Sequence, residues 1–150
     1  MPESFKTRLM RLRFNLFPAY RRTGARVTYI SDDFFEIKIK LSLNWKTKNY
    51  VGTTFGGSIY GAVDPMFMMI LIHQLGSDYI VWDKGATIRF KKPGRSTLFA
   101  TFKLDQNEID TIKQELTSQQ KIDRLYHVNL VDSEGVVHAE VDKVVHVRLK

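Results

Sequence analysis

Apolar and polar positions change their period several times along this chain, and each change predicts an element. Phe5, Leu9, Leu12 and Leu16 recur at four, three and four residues, the spacing of one helix face, so an amphipathic helix is expected over about residues 3–17. After Pro18 the period falls to two. Ala25–Ile30 and Phe35–Leu41 alternate as half-buried strands do, with Ser31, Asp32 and Asp33 supplying the turn of a hairpin. The polar, irregular stretch Asn44–Thr54 reads as a loop leading to Gly56 and Gly57. Beyond it, an apolar run reaching Leu75 is too long for a strand and closes at Gly76, which predicts a buried helix. Pro65 lies inside that run; it donates no hydrogen bond and its ring crowds the carbonyl four residues back, so a bend near Gly61 is expected.

Strand signals resume over Tyr79–Phe90, stop at Lys92-Pro93-Gly94 and restart over Thr97–Leu104. Ile109, Ile112 and Leu116 then take helical spacing, predicting a short surface helix over Asn107–Leu116. Leu125–Val131 and Val136–Leu149 alternate around Asp132-Ser133-Glu134-Gly135, the signature of a hairpin. A nearly all-apolar helix has to be covered on most sides, and strands of one sheet curling around it would do so. The expected class is α+β, one domain over residues 1–150, a length and apolar content (43% hydrophobic) that support a single core.

Composition narrows the chemistry. There is no cysteine, which excludes disulfides, thiolate metal sites and cysteine nucleophiles, and the cytoplasm is the expected compartment. The apolar run Pro65–Ile72 is far shorter than the ~20 residues that cross a bilayer and Asp64 interrupts any longer one, while arginines at 8, 11 and 13 interrupt any secretory signal. The net charge of +7 is concentrated at one end: residues 1–26 hold seven basic side chains against Glu3 alone. Three readings of that segment compete: a helix docked on its own domain with a basic outer face, a binder of anionic membrane or nucleic acid, and an organellar presequence, which fits poorly because serine is scarce. The first is preferred, so neither membrane nor nucleic acid is an expected partner.

Between Lys48 and Asp78 the one formally charged side chain is Asp64, set among apolar neighbours. A carboxylate there must be solvated, paired or used, because burying it bare costs several kcal/mol. Shielding by those neighbours would make it a stronger base than an aspartate in water. The alternative is a capping role at a helix junction. Gly56 and Gly57 likewise read either as tight packing at a helix start or as a place where a ligand approaches unpaired amides. The histidines at 73, 127, 138 and 146 are too dispersed for a metal site, and no metal or cofactor is expected.

Asn49, Phe55-Gly56-Gly57 and Asp64, spaced by six and nine residues, together with the element order from Ala25 to Lys150, resemble the hotdog-fold thioesterases. The chain resembles in particular the branch of the phenylacetate-pathway and human acyl-CoA thioesterases, and within it a subgroup of thioesterase-like proteins. The resemblance implies a curled antiparallel sheet wrapped around a long central helix. It also implies hydrolysis of an acyl-CoA thioester, coenzyme A entering as part of the substrate. In that scheme Asn49 and the Gly56 amide polarise the carbonyl, and Asp64 from a neighbouring subunit acts on water. Gly57 and Phe55 would border the acyl group, and Phe55 stands where the family has histidine, which argues against dehydratase chemistry. A serine or threonine that helps hold the attacking water in some relatives has no counterpart; Asp83 and Lys84 fall near its place and could form a second polar layer or a plain surface pair. Arg89, Lys91, Lys92 and Arg95 suit the nucleotide phosphates, or simply guard a strand edge. Phe67, Met68 and the surroundings of Trp45 and Tyr50 are expected to line the acyl tunnel. Sharing of the site implies a homodimer or homotetramer. Two alternatives stand beside hydrolysis: an acyl- or acyl-CoA-binding module without catalysis, and an anionic-surface or nucleic-acid binder acting through the basic segment.

Overall fold

The computed structural model describes residues 1–150. Its element order is α1 (Phe5–Leu16), α2 (Pro18–Arg21), β1 (Ala25–Ile30), β2 (Glu36–Leu41), α3 (Gly56–Val63), α4 (Met66–Leu75), β3 (Tyr79–Phe90), β4 (Leu98–Lys103), α5 (Gln106–Glu115), β5 (Lys121–Val131) and β6 (Val137–Leu149). The strands form one antiparallel sheet in the order β1-β2-β4-β5-β6-β3. Between β4 and β5 the ladder narrows to the single pair Phe99 and Val131, so the sheet opens there. Over β5, α5 buries Ile109 and Ile112, and Arg124 grips Glu108 through two bonds of 2.8 and 2.7 Å.

The apolar run folds as the central helix, with Ala62, Val63, Met66, Ile70 and Leu71 fully buried against the concave face of the sheet. It is interrupted at Asp64 and Pro65 themselves, not bent near Gly61. The Asp64 amide still reaches the Tyr60 carbonyl at 3.0 Å, and the ladder restarts only with Met69 donating to Pro65. The buried Tyr20 hydroxyl donates to the Ala62 carbonyl just before the break, at 2.9 Å. Gly61 serves a different purpose: a Cβ there would lie 2.8 Å from Thr23, so its absence lets α3 press against the segment before β1.

The two edges of the sheet are treated differently. Along β1, α1 supplies side chains in place of a neighbouring strand: Asn15 donates to the Val27 carbonyl and accepts from its amide at 2.9 and 2.8 Å, and Glu3 accepts from the Ile30 amide. Glu3, Thr7, Arg11 and Asn15 therefore face inward with Met10 and Phe14, and Phe5, Leu9, Leu12 and Leu16 point to solvent. This reverses the docking expected of that apolar stripe, because an edge strand needs hydrogen-bonding partners that leucines cannot provide. At the opposite edge, β3 pairs only with β6 and leaves a twelve-residue side open.

Candidate active site

A cleft of about 380 Å³ opens where the central helix begins, lined by Asn49, Thr53, Gly56, Phe90, Lys91 and Lys92 among others. Its floor is built by the loop before α3. Thr47 accepts the Phe55 amide at 2.8 Å and Gly94 accepts the Thr54 amide at 2.9 Å, which aims the start of α3 into the cleft. Gly56 and Gly57 occupy the first two helical positions, and no protein atom accepts their amide hydrogens. A Cβ on Gly56 would stand 3.1 Å from the Phe90 ring, and one on Gly57 would run into the exposed Phe55 ring. Side chains are thus kept away from the helix start, where Gly56 lines the cleft beside Phe90 and both free amides lie at the positive end of a helix dipole.

Asn49 lines the same cleft, but its amide is largely taken up by its own loop. Oδ1 accepts from the Val51 and Thr53 amides, and Nδ2 donates to Thr53 Oγ1 at 2.8 Å, leaving one N–H free. Of the expected basic strip, Lys91 and Lys92 reach the cleft; Lys91 lies 4.0 Å from Glu140 and Lys92 has no acidic partner. Arg89 is held between Glu140 and Asp142 at 3.1 and 2.9 Å, so its charge is spent within the sheet, and Arg95 is exposed outside the cleft. Phe67 belongs to the core, stacked on Tyr126, and Trp45 and Tyr50 are exposed.

Asp64 lies eight residues along the central helix from Gly56, about 12 Å at 1.5 Å per residue, outside that cleft. It is not shielded: its side chain is 44% exposed. Its Oδ1 accepts two hydrogen bonds, from the Tyr60 hydroxyl at 2.8 Å and from Lys143 Nζ at 2.7 Å, and Oδ2 accepts none. Lys143 is fully buried, and its Nζ also stands 3.2 Å from Asp83 Oδ1, too poorly aimed for a well-formed hydrogen bond. Burial pushes the Asp83 carboxyl above the usual aspartate range, and the Lys143 charge only partly offsets it. For Lys143 the balance goes the other way. Burial depresses its pKa, but Asp64, Asp83 and Tyr60 more than compensate and leave it raised.

Lys143 escaped notice in the sequence. The signal was there: Ala139, Val141, Lys143, Val145 and Val147 alternate as one buried face, and a lysine in phase with valines demands acidic partners. Asp83 and Lys84 separate to opposite faces of β3. Asp83 turns inward to Lys143, while Lys84 meets Asp123 at 2.6 Å on the outer face, beside His146. His127 is likewise an outer-face residue, with Nδ1 at 2.7 Å from Asp142.

Comparison with known proteins bears on the fold. The model of a family described as a domain of unknown function, DUF4442, matches residues 6–147. A Pseudomonas aeruginosa structure of unknown function, named a probable thioesterase, superposes with a TM-score of 0.86 at 20% identity, over 100% of this chain and 99% of that one. A thioesterase from Haemophilus influenzae gives 0.70 at 12% identity, over 98% and 93%. A protein of unknown function from Chlorobaculum tepidum gives 0.75 at 12%, over 97% and 95%. None of the curated proteins matches. The curled sheet around a central helix is thus the hotdog fold, as the resemblance to that family implied.

Proposed function

Because this chain belongs to the DUF4442 family, whose description carries no activity, its chemistry rests on its own residues, and we propose that it is a thioesterase hydrolysing acyl-CoA thioesters. The observation that carries this reading is the cleft in which the unpaired Gly56 amide, at the start of the central helix, meets Lys91 and Lys92. A thioester carbonyl seated there would develop its negative charge against the Gly56 amide and a helix dipole, with the remaining Asn49 N–H as a second donor. Lys91 and Lys92 suit the phosphates of coenzyme A at the rim. The thioesterase names of the Pseudomonas and Haemophilus structures agree with this chemistry.

The separation of Gly56 from Asp64 supports a shared site. Within one chain the carboxylate is too far away, but β3 offers a free edge. Antiparallel pairing of two such strands about the Ala86–Thr87 bond sets Asp83 of one copy opposite Phe90 of the other. Phe90 lines the same cleft as Gly56, and Asp83 is tied to Asp64 through Lys143, so the helix start of each copy approaches Asp64 of the other. In this homodimer Asp64 Oδ2, the oxygen without a hydrogen-bond donor, takes a proton from water as the water oxygen bonds to the thioester carbon. The C–S bond then breaks, and the coenzyme A thiolate leaves and is protonated, giving a carboxylic acid and free thiol.

A second reading, an acyl-CoA-binding module without turnover, draws support from the grip of Lys143 and Tyr60 on Asp64 and from Phe55 in place of histidine. Coenzyme A release from short, medium, long and aromatic acyl-CoAs, followed with a thiol reagent, separates the two, and a chain without cysteine adds no background. Hydrolysis that falls at least about a hundredfold in Asp64→Asn, with the fold retained, is expected. Saturable binding with the acyl-CoA recovered intact would assign the binding module instead.

A further inference from the structure

The outward stripe of α1 has a use that the cleft does not explain. At 3.6 residues per turn Phe5, Leu9, Leu12 and Leu16 fall within about 60° of one another, with Arg8 on one flank and Lys6 and Arg13 on the other. All four apolar side chains are exposed, Phe5 to 85%, although the opposite face of the same helix is docked. The surface continues past the helix. Leu16, Pro18, Arg21, Arg22, Trp45 and Lys46 surround one depression of about 650 Å³, and Trp45 stands 82% exposed with the Lys46 ammonium over its ring. Arg11 engages the one acid nearby, Glu3, at 2.8 Å; Arg8 stays 3.6 Å from it, and Lys6, Arg13, Arg21 and Arg22 have no acidic partner.

We propose that this face is a docking surface for anionic lipid bilayers, with α1 lying in the plane of the interface, its leucines in the acyl boundary, its cations among the headgroups and Trp45 at the water boundary. Both components of such binding are present side by side, and each is weak alone. The alternatives fit one component only. Nucleic acid would use the cations and leave a row of leucines in water. A second copy docked on this face across a two-fold axis would cover the leucines but bring two strongly basic surfaces together. The inference is independent of the chemistry in the cleft, which opens at the other end of the loop that carries Trp45.

The test uses the full chain and two kinds of vesicle, phosphatidylcholine alone and an equal mixture of phosphatidylcholine and phosphatidylglycerol, read by flotation and by Trp45 fluorescence in a Trp82→Phe background. Flotation with the mixed vesicles only, a blue shift of Trp45 on binding, and weakening at high salt are expected. Arg8→Gln/Arg13→Gln should lose about fivefold in partitioning per cation. Leu9→Ser/Leu12→Ser, both solvent-exposed in the free protein, should lose at least tenfold while melting as the wild type does. Equal partitioning into both vesicle types, or undiminished binding by the leucine variant, overturns the proposal. So does absence of vesicle binding, whether it comes with retention of RNA or with an oligomer that the leucine variant dissociates; the latter result assigns the stripe to a second copy.

Discussion

Lys143 Nζ donates to Asp64 Oδ1 at 2.7 Å, joining strand β6 to the interruption in the central helix across 79 positions of sequence. The same ammonium is the only cation near the inward Asp83, so one buried lysine compensates two carboxylates. Replacing it by methionine keeps the volume and leaves Asp83 buried without a counter-charge. Lys143→Met is expected to cost about 3 kcal/mol in denaturant unfolding. Adding Asp83→Asn should restore more than half of that loss, a coupling that a double-mutant cycle measures directly.

A second relationship supports the cleft from below. Gly24 holds φ +86°, and a Cβ at this position would stand 2.1 Å from Thr47 Cγ2. Thr47 is the residue whose carbonyl receives the Phe55 amide and so aims α3. Gly24→Ala should therefore destabilise the fold by at least about 2 kcal/mol, since left-handed strain and overpacking add. Acyl-CoA binding should weaken with it, read by calorimetry below the melting transition.

The basic rim separates by ion pairing. Arg89 is occupied by Glu140 and Asp142, whereas Lys92 is free and Lys91 nearly so. Lys91→Gln/Lys92→Gln should raise KM for acyl-CoA about tenfold, equivalent to about 1.4 kcal/mol, with kcat unchanged. An acyl-pantetheine lacking the nucleotide should be indifferent to the change. Arg89→Gln should leave both parameters alone.

His127 gives the fold a pH-dependent increment. The hydrogen bond to Asp142, reinforced by Asn129, raises its pKa above the ordinary histidine value, and the same bond holds Asp142 below its own. The histidine therefore favours the folded state below about pH 6.5, where it is charged in both states, and loses that contribution as pH rises through its raised folded value. Melting temperatures of wild type and His127→Gln should differ most in mildly acidic buffer and converge at alkaline pH. The difference is small because the pair is open to solvent.

Much of the fold was legible in the residues. The limits of β1 and β3 and the close of the central helix at Gly76 follow from alternation and from glycine, both local properties of the chain. β5 begins at Lys121, four residues before its apolar alternation, because pairing with β6 carries a polar stretch into the ladder. The Gly56 end of the candidate site was readable for the same local reason, a glycine pair after a loop and before an apolar helix.

The sequence by itself determined the order of the strands and longer helices, though not the short α2 or the division of the central helix, and the isolation of Asp64 as a charge among apolar neighbours. Only the tertiary structure decided which charges meet: Asp64 and Asp83 with Lys143, Arg89 with Glu140 and Asp142, Lys84 with Asp123. It also decided that α1 turns its polar row toward β1 and its leucines outward. The physical reason is common to all of these. Periodicity records how one segment divides into two faces, whereas which face is buried depends on the unpaired backbone and charges that distant segments bring against it.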